Sequence, residues 1–144
     1  MSKDAAGTVG TSLPYEGVRV VEFTHMVMGP TCGMILADLG AEVIKVEPID
    51  GDKTRNLVGS GAGFFPMFNR NKKSIAVDMK TADGVEIVKK LLATADVLSE
   101  NFKPGTMEKF GLGYEQIARE NPGVVFCSIS GFGDAAGKDL PGYD

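Results

Sequence analysis

Short apolar runs recur along the chain and predict a β-sheet with intervening helices. Five runs are rich in Val, Ile and Phe, and each is bounded by polar or glycine-containing segments. Runs of this length and composition are typical of strands. They lie at residues 19–23, 43–46, 74–77, 97–99 and 124–130.

The segments between these strands carry helical signals. Gly29-Pro30 opens a helix over about residues 31–39, because proline is tolerated in a first helical turn, and Gly40 ends it. A second helix is predicted over about residues 82–95, with Thr81 as its cap and one apolar face made by Val85, Val88, Leu91 and Leu92. Shorter helices are predicted at about 107–110 and 114–119, and a long loop at about 47–63. The alternation predicts an open, largely parallel α/β sheet with helices on both faces.

Composition and charge narrow the functional classes. The 144 residues suit one domain, and the net charge of -4 argues against a general nucleic-acid binder. No apolar run approaches the roughly 18 residues of a membrane span. Residues 1–12 lack the apolar core of a signal peptide and are interpreted as a flexible arm. The cysteines form no CxxC pair, so free thiols and a cytoplasmic location are expected.

The domain is therefore placed at residues 13–144. Its last part, residues 130–144, is loop-like and closes on neither a helix nor a strand. A natural domain seldom ends in this way, so we expect the sequence to be a fragment of a longer chain.

The loop after the first strand, residues 24–29, lies where parallel α/β folds bind ligands. A dinucleotide site needs G-x-G-x-x-G here, and this loop has one glycine, Gly29. Glu47, after the second strand, resembles the acid that holds a ribose, but without the glycines it is weak support for an NAD-dependent oxidoreductase. His25 is the single histidine, and a loop histidine satisfied by neighbours is favoured over a catalytic one. No metal-ligand cluster is apparent, so no metal is expected.

Five ordered segments carry a resemblance to a known family. They are LPYEGVRVVEFTHMVMGP, LADLGAEVIKVEP with GD shortly after it, FNRNKKSIAVDMKTADG, ADVLSENFKPGTMEKFGLGYE and NPGVVFCSISGFG. In this order they resemble the N-terminal part of the class III CoA-transferases, the family of formyl-CoA transferase and carnitine CoA-transferase. The likeness covers residues 13–144.

The resemblance implies a function and an assembly. The expected reaction moves CoA between an acyl-CoA thioester and a carboxylic acid through aspartyl anhydride and aspartyl thioester intermediates. The nucleophilic aspartate of the family lies beyond Asp144, so no catalytic residue is assigned within this chain. The implied fold is a Rossmann-like large domain in an interlocked homodimer. CoA is a substrate, and no permanently bound cofactor, nucleic acid or membrane is expected.

The resemblance also implies a CoA-binding surface. The loop after the first strand, through His25, Val27 and Met28, is expected beside the pantetheine and thioester end. Lys109 replaces an arginine that relatives use for a phosphate, and Pro48 stands where formyl-CoA transferase-like proteins carry an arginine. Arg70, Lys72 and Lys73 form a basic cluster that suits either a solvated surface or phosphate contact. The other expected CoA-binding residues are Val77, Asp78, Met79, Lys80, Asn101, Phe102, Lys103 and Tyr143.

Three alternatives stay open at this point. An acyl-CoA racemase of the same superfamily would place a histidine base at position 143, where this chain has tyrosine, whose reference pKa of about 10 suits a base poorly. An NAD-dependent oxidoreductase would bind NADH in place of CoA. A non-catalytic fragment would retain only part of a CoA-binding scaffold.

Overall fold

The computed structural model describes residues 12–133, 137, 140 and 142. Within this part the chain forms five strands and five α-helices, which alternate along the chain except that two helices lie between the last two strands. They are β1 (Arg19–Phe23), α1 (Met28–Asp38), β2 (Glu42–Glu47), α2 (Phe64–Phe68), β3 (Lys72–Ala76), α3 (Ala82–Leu92), β4 (Val97–Glu100), α4 (Thr106–Lys109), α5 (Tyr114–Glu120) and β5 (Val125–Ser128). Two 3-10 helices, Lys53–Asn56 and Gly59–Gly61, lie between β2 and α2.

The five strands form one parallel sheet in the order β3-β2-β1-β4-β5. The chain moves outward from β1 to β3, and then returns past β1 to build β4 and β5. The switch point therefore lies between β1 and β4, whose register pairs Val21 with Leu98 and Phe23 with Glu100. Ligands of open α/β sheets bind at such a point, beyond the carboxyl ends of the strands.

Alternate residues of β1 enter two different cores. Val20 belongs to a cluster with Val43 and with Ala37 of α1. Val21 and Phe23 belong to a larger cluster that contains Val88 of α3 and residues of α4 and α5. Successive side chains of a strand point to opposite faces, so α1 covers one face and α3 to α5 cover the other. The predicted α/β sheet with helices on both faces is confirmed.

Local details differ from the predicted boundaries. α1 begins at Met28, before the proline, because Pro30 occupies its first turn. α3 ends at Leu92, and Thr81 caps it by accepting a hydrogen bond from the Gly84 N–H. The short helix Phe64–Phe68 was not predicted, and the loop before it contains the two 3-10 helices. β5 is shorter than predicted and ends at Ser128.

Several expectations concern the chain as a whole. The two cysteines are free thiols in the structure. Across the described residues no helix is long and apolar enough to cross a membrane, and no group of three or more His, Cys, Asp or Glu side chains could hold a metal ion. The predicted arm falls almost entirely in residues 1–11, outside the described residues.

Candidate functional site

The loops that follow β1 and β4 meet at the switch point. The His25 ring stacks on the Phe102 ring, with centroids 5.9 Å apart and an interplanar angle of 27°. The Asn101 side chain bridges the same loops, since its Oδ1 accepts from the His25 N–H at 3.0 Å and its Nδ2 donates to the His25 carbonyl at 2.9 Å. Residues 76 positions apart are thus joined by the topology of the sheet.

A cavity of about 350 Å³ opens at the carboxyl ends of the sheet. The segment after β3 forms one wall with Val77, Asp78, Met79 and Lys80. Phe102 lines it as well, and also packs against the larger apolar core. The remaining lining residues are Phe23, Val46, Glu47, Pro48, Ile49, Asp50 and Phe110. An apolar floor with polar groups at the rim is the usual construction of a small-molecule site.

A second cavity of about 420 Å³ adjoins the first and shares Met79, Lys80 and Phe110 with it. Its lining also includes Lys89 of α3 and Lys109 of α4. Three lysines at one cavity favour a ligand that carries negative charge, although Glu86 of the same lining reduces the net positive potential. The two cavities together can accept an extended ligand with an apolar ring at one end and anionic groups beside it.

Glu47 lies at the first cavity, but its carboxylate is already occupied. Arg55 donates to both oxygens, at 2.8 and 2.7 Å, Ser74 donates at 2.6 Å and the Asp52 N–H at 2.8 Å. Burial alone would raise the pKa of Glu47, but these hydrogen bonds outweigh it and lower the pKa to about 2. A carboxylate has about four acceptor positions, so Glu47 is not arranged to hold a ribose. The resemblance of Glu47 to the acid of a dinucleotide site therefore has no support in its geometry.

The basic cluster predicted at residues 70–73 is used internally. The side chain of Lys72 is buried, and its Nζ donates to Glu22 at 2.8 Å and to the carbonyl of Pro30 at 2.7 Å. Arg70 pairs with Asp38, and Lys73 pairs with Glu42. Each cation has a carboxylate partner, so the phosphate-contact alternative for this cluster is not supported.

The predicted site residues divide into three groups. Residues 77–80 and Phe102 line the first cavity, Lys109 lines the second, and His25 and Asn101 join Phe102 beside them. Val27 is the N-cap residue of α1 and Met28 is its exposed first residue, while Lys103 is exposed and lines neither cavity. Tyr143 lies outside the described residues.

Some residues at the site were not identified from the sequence. Residues 48–50 form a wall of the first cavity directly after β2, and of these three only Pro48 had been singled out for its place beside a nucleotide. Lys45 is buried in β2, where its Nζ donates to the Thr24 carbonyl at 2.5 Å and lies 3.0 Å from Asp52. A lysine inside the apolar run of residues 43–46 was the available signal, because buried charges require partners.

The fold and the site together define a doubly wound, parallel α/β domain with a candidate ligand site beyond the carboxyl ends of its strands. The model of CoA-transferase family III matches residues 15–144. Succinyl-CoA:glutarate CoA-transferase of Mus musculus is 47% identical over 137 residues, which cover 91% of this chain and 31% of that protein. Formyl-CoA:oxalate CoA-transferase of Rhodopseudomonas palustris is 43% identical over 134 residues, covering 90% of this chain and 32% of the relative.

Solved structures agree with these sequence relatives. The crystal structure of a CAIB/BAIF family protein from Brucella suis superimposes with a TM-score of 0.85 at 43% identity, covering 92% of this chain and 38% of that one. The chain belongs to CoA-transferase family III. It spans about a third of the length of the relatives that it matches.

Proposed function

We propose that this chain forms the CoA-binding face of an enzyme that transfers CoA between an acyl-CoA thioester and a carboxylic acid. The observation that carries the proposal is the pair of adjoining cavities at the carboxyl ends of the sheet, one largely apolar and one lined by lysines, in a member of CoA-transferase family III. CoA has the matching chemistry, with an adenine ring beside phosphate groups.

The first cavity is the proposed adenosine site. Its volume of about 350 Å³ falls within the range of small-molecule sites. Phe102 offers an aromatic surface for the adenine, and residues 77–80 supply the wall beside the ribose. Pro48, on the wall that follows β2, gives the cavity an apolar surface where formyl-CoA transferase-like proteins are expected to carry an arginine, so binding of the nucleotide depends more on shape complementarity and less on charge.

The second cavity is the proposed phosphate site. Lys80 and Lys109 both line it, and Lys80 lines the first cavity too. A lysine ammonium binds phosphate as a point charge rather than as a bidentate fork, so it tolerates some freedom of the phosphate position. The lysines accordingly hold the charged part of CoA while the apolar cavity sets its orientation.

The loop after β1 is the proposed neighbour of the pantetheine and thioester end. It lies at the same edge of the sheet as Phe102, through the His25 stacking contact. Val27 and Met28 stand at the start of α1, whose N-terminus carries partial positive charge that favours a carboxylate or a developing oxyanion. His25 shapes this surface and is not assigned a proton-transfer role.

The proposed chemistry uses an aspartate carboxylate from beyond Asp144. It attacks the acyl carbonyl carbon, the C–S bond breaks, and CoA leaves as its thiolate, so that the donor acyl group remains joined to the aspartate as a mixed anhydride. The thiolate then attacks the aspartyl carbonyl, which releases the donor acid and leaves an aspartyl-CoA thioester. The acceptor carboxylate repeats these steps in reverse order, so charge and atoms balance with no permanently bound cofactor. The proposed assembly is an interlocked homodimer in the cytoplasm.

The test is a CoA-exchange assay on the complete natural protein. Succinyl-CoA with glutarate and formyl-CoA with oxalate are the first substrate pairs, because relatives are named for them. Formation of the new acyl-CoA, followed by chromatography, supports the proposal. Exchange of an α-proton without CoA transfer would support a racemase instead, and binding of NADH without binding of CoA would support an oxidoreductase.

A further inference from the structure

The loop at residues 24–26 holds a backbone conformation that its sequence does not favour. Met26 has φ of 63°, in the left-handed region that residues other than glycine seldom adopt. Such conformations persist where surrounding contacts impose them, and they are concentrated at ligand sites. The contacts that impose this one come from three other parts of the chain.

The buried side of the loop is tied to the 3-10 helix that follows β2. The Met26 N–H donates to Thr54 Oγ1 at 3.1 Å, and Thr54 is 2% exposed. The Thr54 N–H donates to Asp52 Oδ1 at 2.9 Å, and Asp52 pairs with Lys45 at 3.0 Å. Lys45 closes a ring of contacts by donating to the Thr24 carbonyl at 2.5 Å.

The outer side of the loop is tied to the segment after β4. Asn101 uses both polar atoms of its side-chain amide on the backbone of one residue, the N–H and the carbonyl of His25. This pairing demands the amide: a carboxylate offers no donor for the carbonyl, and an aliphatic side chain offers neither group. The backbone of the loop is thus held from two directions. Thr54 and Lys45 bind it on the buried side, and Asn101 binds it on the outer side.

We propose that Thr54 and Asn101 are positioning residues that hold the loop at residues 24–26 in the shape that receives the thioester arm of CoA. This inference rests on the proposed function of the site. Thr54 is buried and acts on CoA only through Met26. Asn101 acts on the loop through its two hydrogen bonds to the backbone of His25.

The principal test compares Thr54→Val with Thr54→Ser in the complete natural protein. Valine keeps the shape and removes the hydroxyl, whereas serine keeps the hydroxyl, so the pair isolates the hydrogen bond to Met26. We expect Thr54→Val to weaken CoA binding roughly tenfold in calorimetric titration, because the partly buried Met26 N–H loses its acceptor and no longer holds the loop. The KM for acyl-CoA should rise more than kcat falls, and Thr54→Ser should bind within about twofold of the wild type. Equal CoA affinity in the wild type and both variants would overturn the proposal.

A second arm keeps the proposal testable if Thr54→Val does not fold. Asn101→Asp retains the acceptor for the His25 N–H and places a carboxylate against the His25 carbonyl. It should weaken CoA binding and speed hydrogen exchange of a peptide that contains residues 24–26. Faster exchange without weaker binding would contradict the positioning role. Failure of the wild type to bind CoA would instead remove the proposed function, while the exchange data would still report whether the loop is held.

Discussion

Replacing Gly29 by alanine is expected to displace the Asn101 side chain, which holds the loop after β1. A Cβ at this position would lie 2.8 Å from Asn101 Cγ and 2.8 Å from Thr24 Cβ. Carbon atoms in contact ordinarily lie about 3.5–4.0 Å apart, so one of these neighbours has to move. Thr24 is only 4% exposed, whereas Asn101 is half-buried, so the Asn101 side chain can move more easily. We therefore expect Asn101 to shift and to lose its hydrogen bonds to His25.

Two effects of opposite sign determine how much Gly29→Ala changes the free energy of unfolding. Alanine is favoured over glycine within a helix by up to about 1 kcal/mol, and by less near its start. Overpacking costs about 1–3 kcal/mol, and each lost hydrogen bond costs about 0.5–1.5 kcal/mol, partly recovered from water at exposed His25. The packing cost is the larger, so Gly29→Ala should lower the free energy of unfolding by about 1–2 kcal/mol. CoA affinity should fall by roughly tenfold if the loop shifts with Asn101.

Urea unfolding and calorimetric CoA titration of the complete natural protein measure the two effects. Gly63→Ala is the matched control, because Gly63 has φ of -90° and its added Cβ would meet no heavy atom within 4 Å. The control should lie within about 0.5 kcal/mol of the wild type and bind CoA equally well. If Gly29→Ala is as stable as the wild type and binds CoA as tightly, the close packing of Gly29 against Asn101 does not govern the site.

Three further predictions concern single side chains. Because the pKa of Glu47 falls to about 2, below its unfolded value of about 4.3, its stabilisation is complete at neutral pH and is lost as pH falls through that window. The shift sets an upper limit of about 3 kcal/mol, and exposure of Arg55 reduces the expected value to about 2 kcal/mol. Urea unfolding should therefore show Glu47→Gln less stable than the wild type at neutral pH, with a gap that shrinks towards about pH 3; a constant gap would refute this reasoning. Lys109→Ala should raise the KM for acyl-CoA about fivefold with little change in kcat, whereas Lys53→Ala, an exposed control outside both cavities, should not. An unchanged KM would show that the Lys109 side chain only faces water. His25→Gln should reduce kcat by well under the roughly 10²–10⁴-fold contribution of a general acid or base, and a loss within or above that range would assign proton transfer to His25.

The sheet was predictable because its signals are local. The strand at Arg19–Phe23 was predicted with its observed bounds, and the other four were found within a few residues. Thr81 was recognised as a cap because its hydroxyl can serve a free helical N–H, and the structure shows that bond to Gly84. The sheet order and the switch point required the complete set of strand pairings, which no single segment encodes.

The site was predictable only in part. The segment of residues 77–80 and Phe102 was named through family resemblance, and the structure brings these residues to one cavity. The left-handed Met26 was not foreseen, because no local signal marks a methionine for that conformation. The role of Thr54 depends on a hydrogen bond across 28 positions, and that contact exists only after the chain has folded.

The most direct test of the account is a crystal structure of the complete natural protein with CoA. The adenine ring should occupy the cavity bounded by residues 77–80 and Phe102, with phosphate groups towards Lys109. The pantetheine arm should run along the loop at residues 24–28. CoA bound elsewhere on the protein, with both cavities free of ligand, would contradict the assignment of this face as the CoA site.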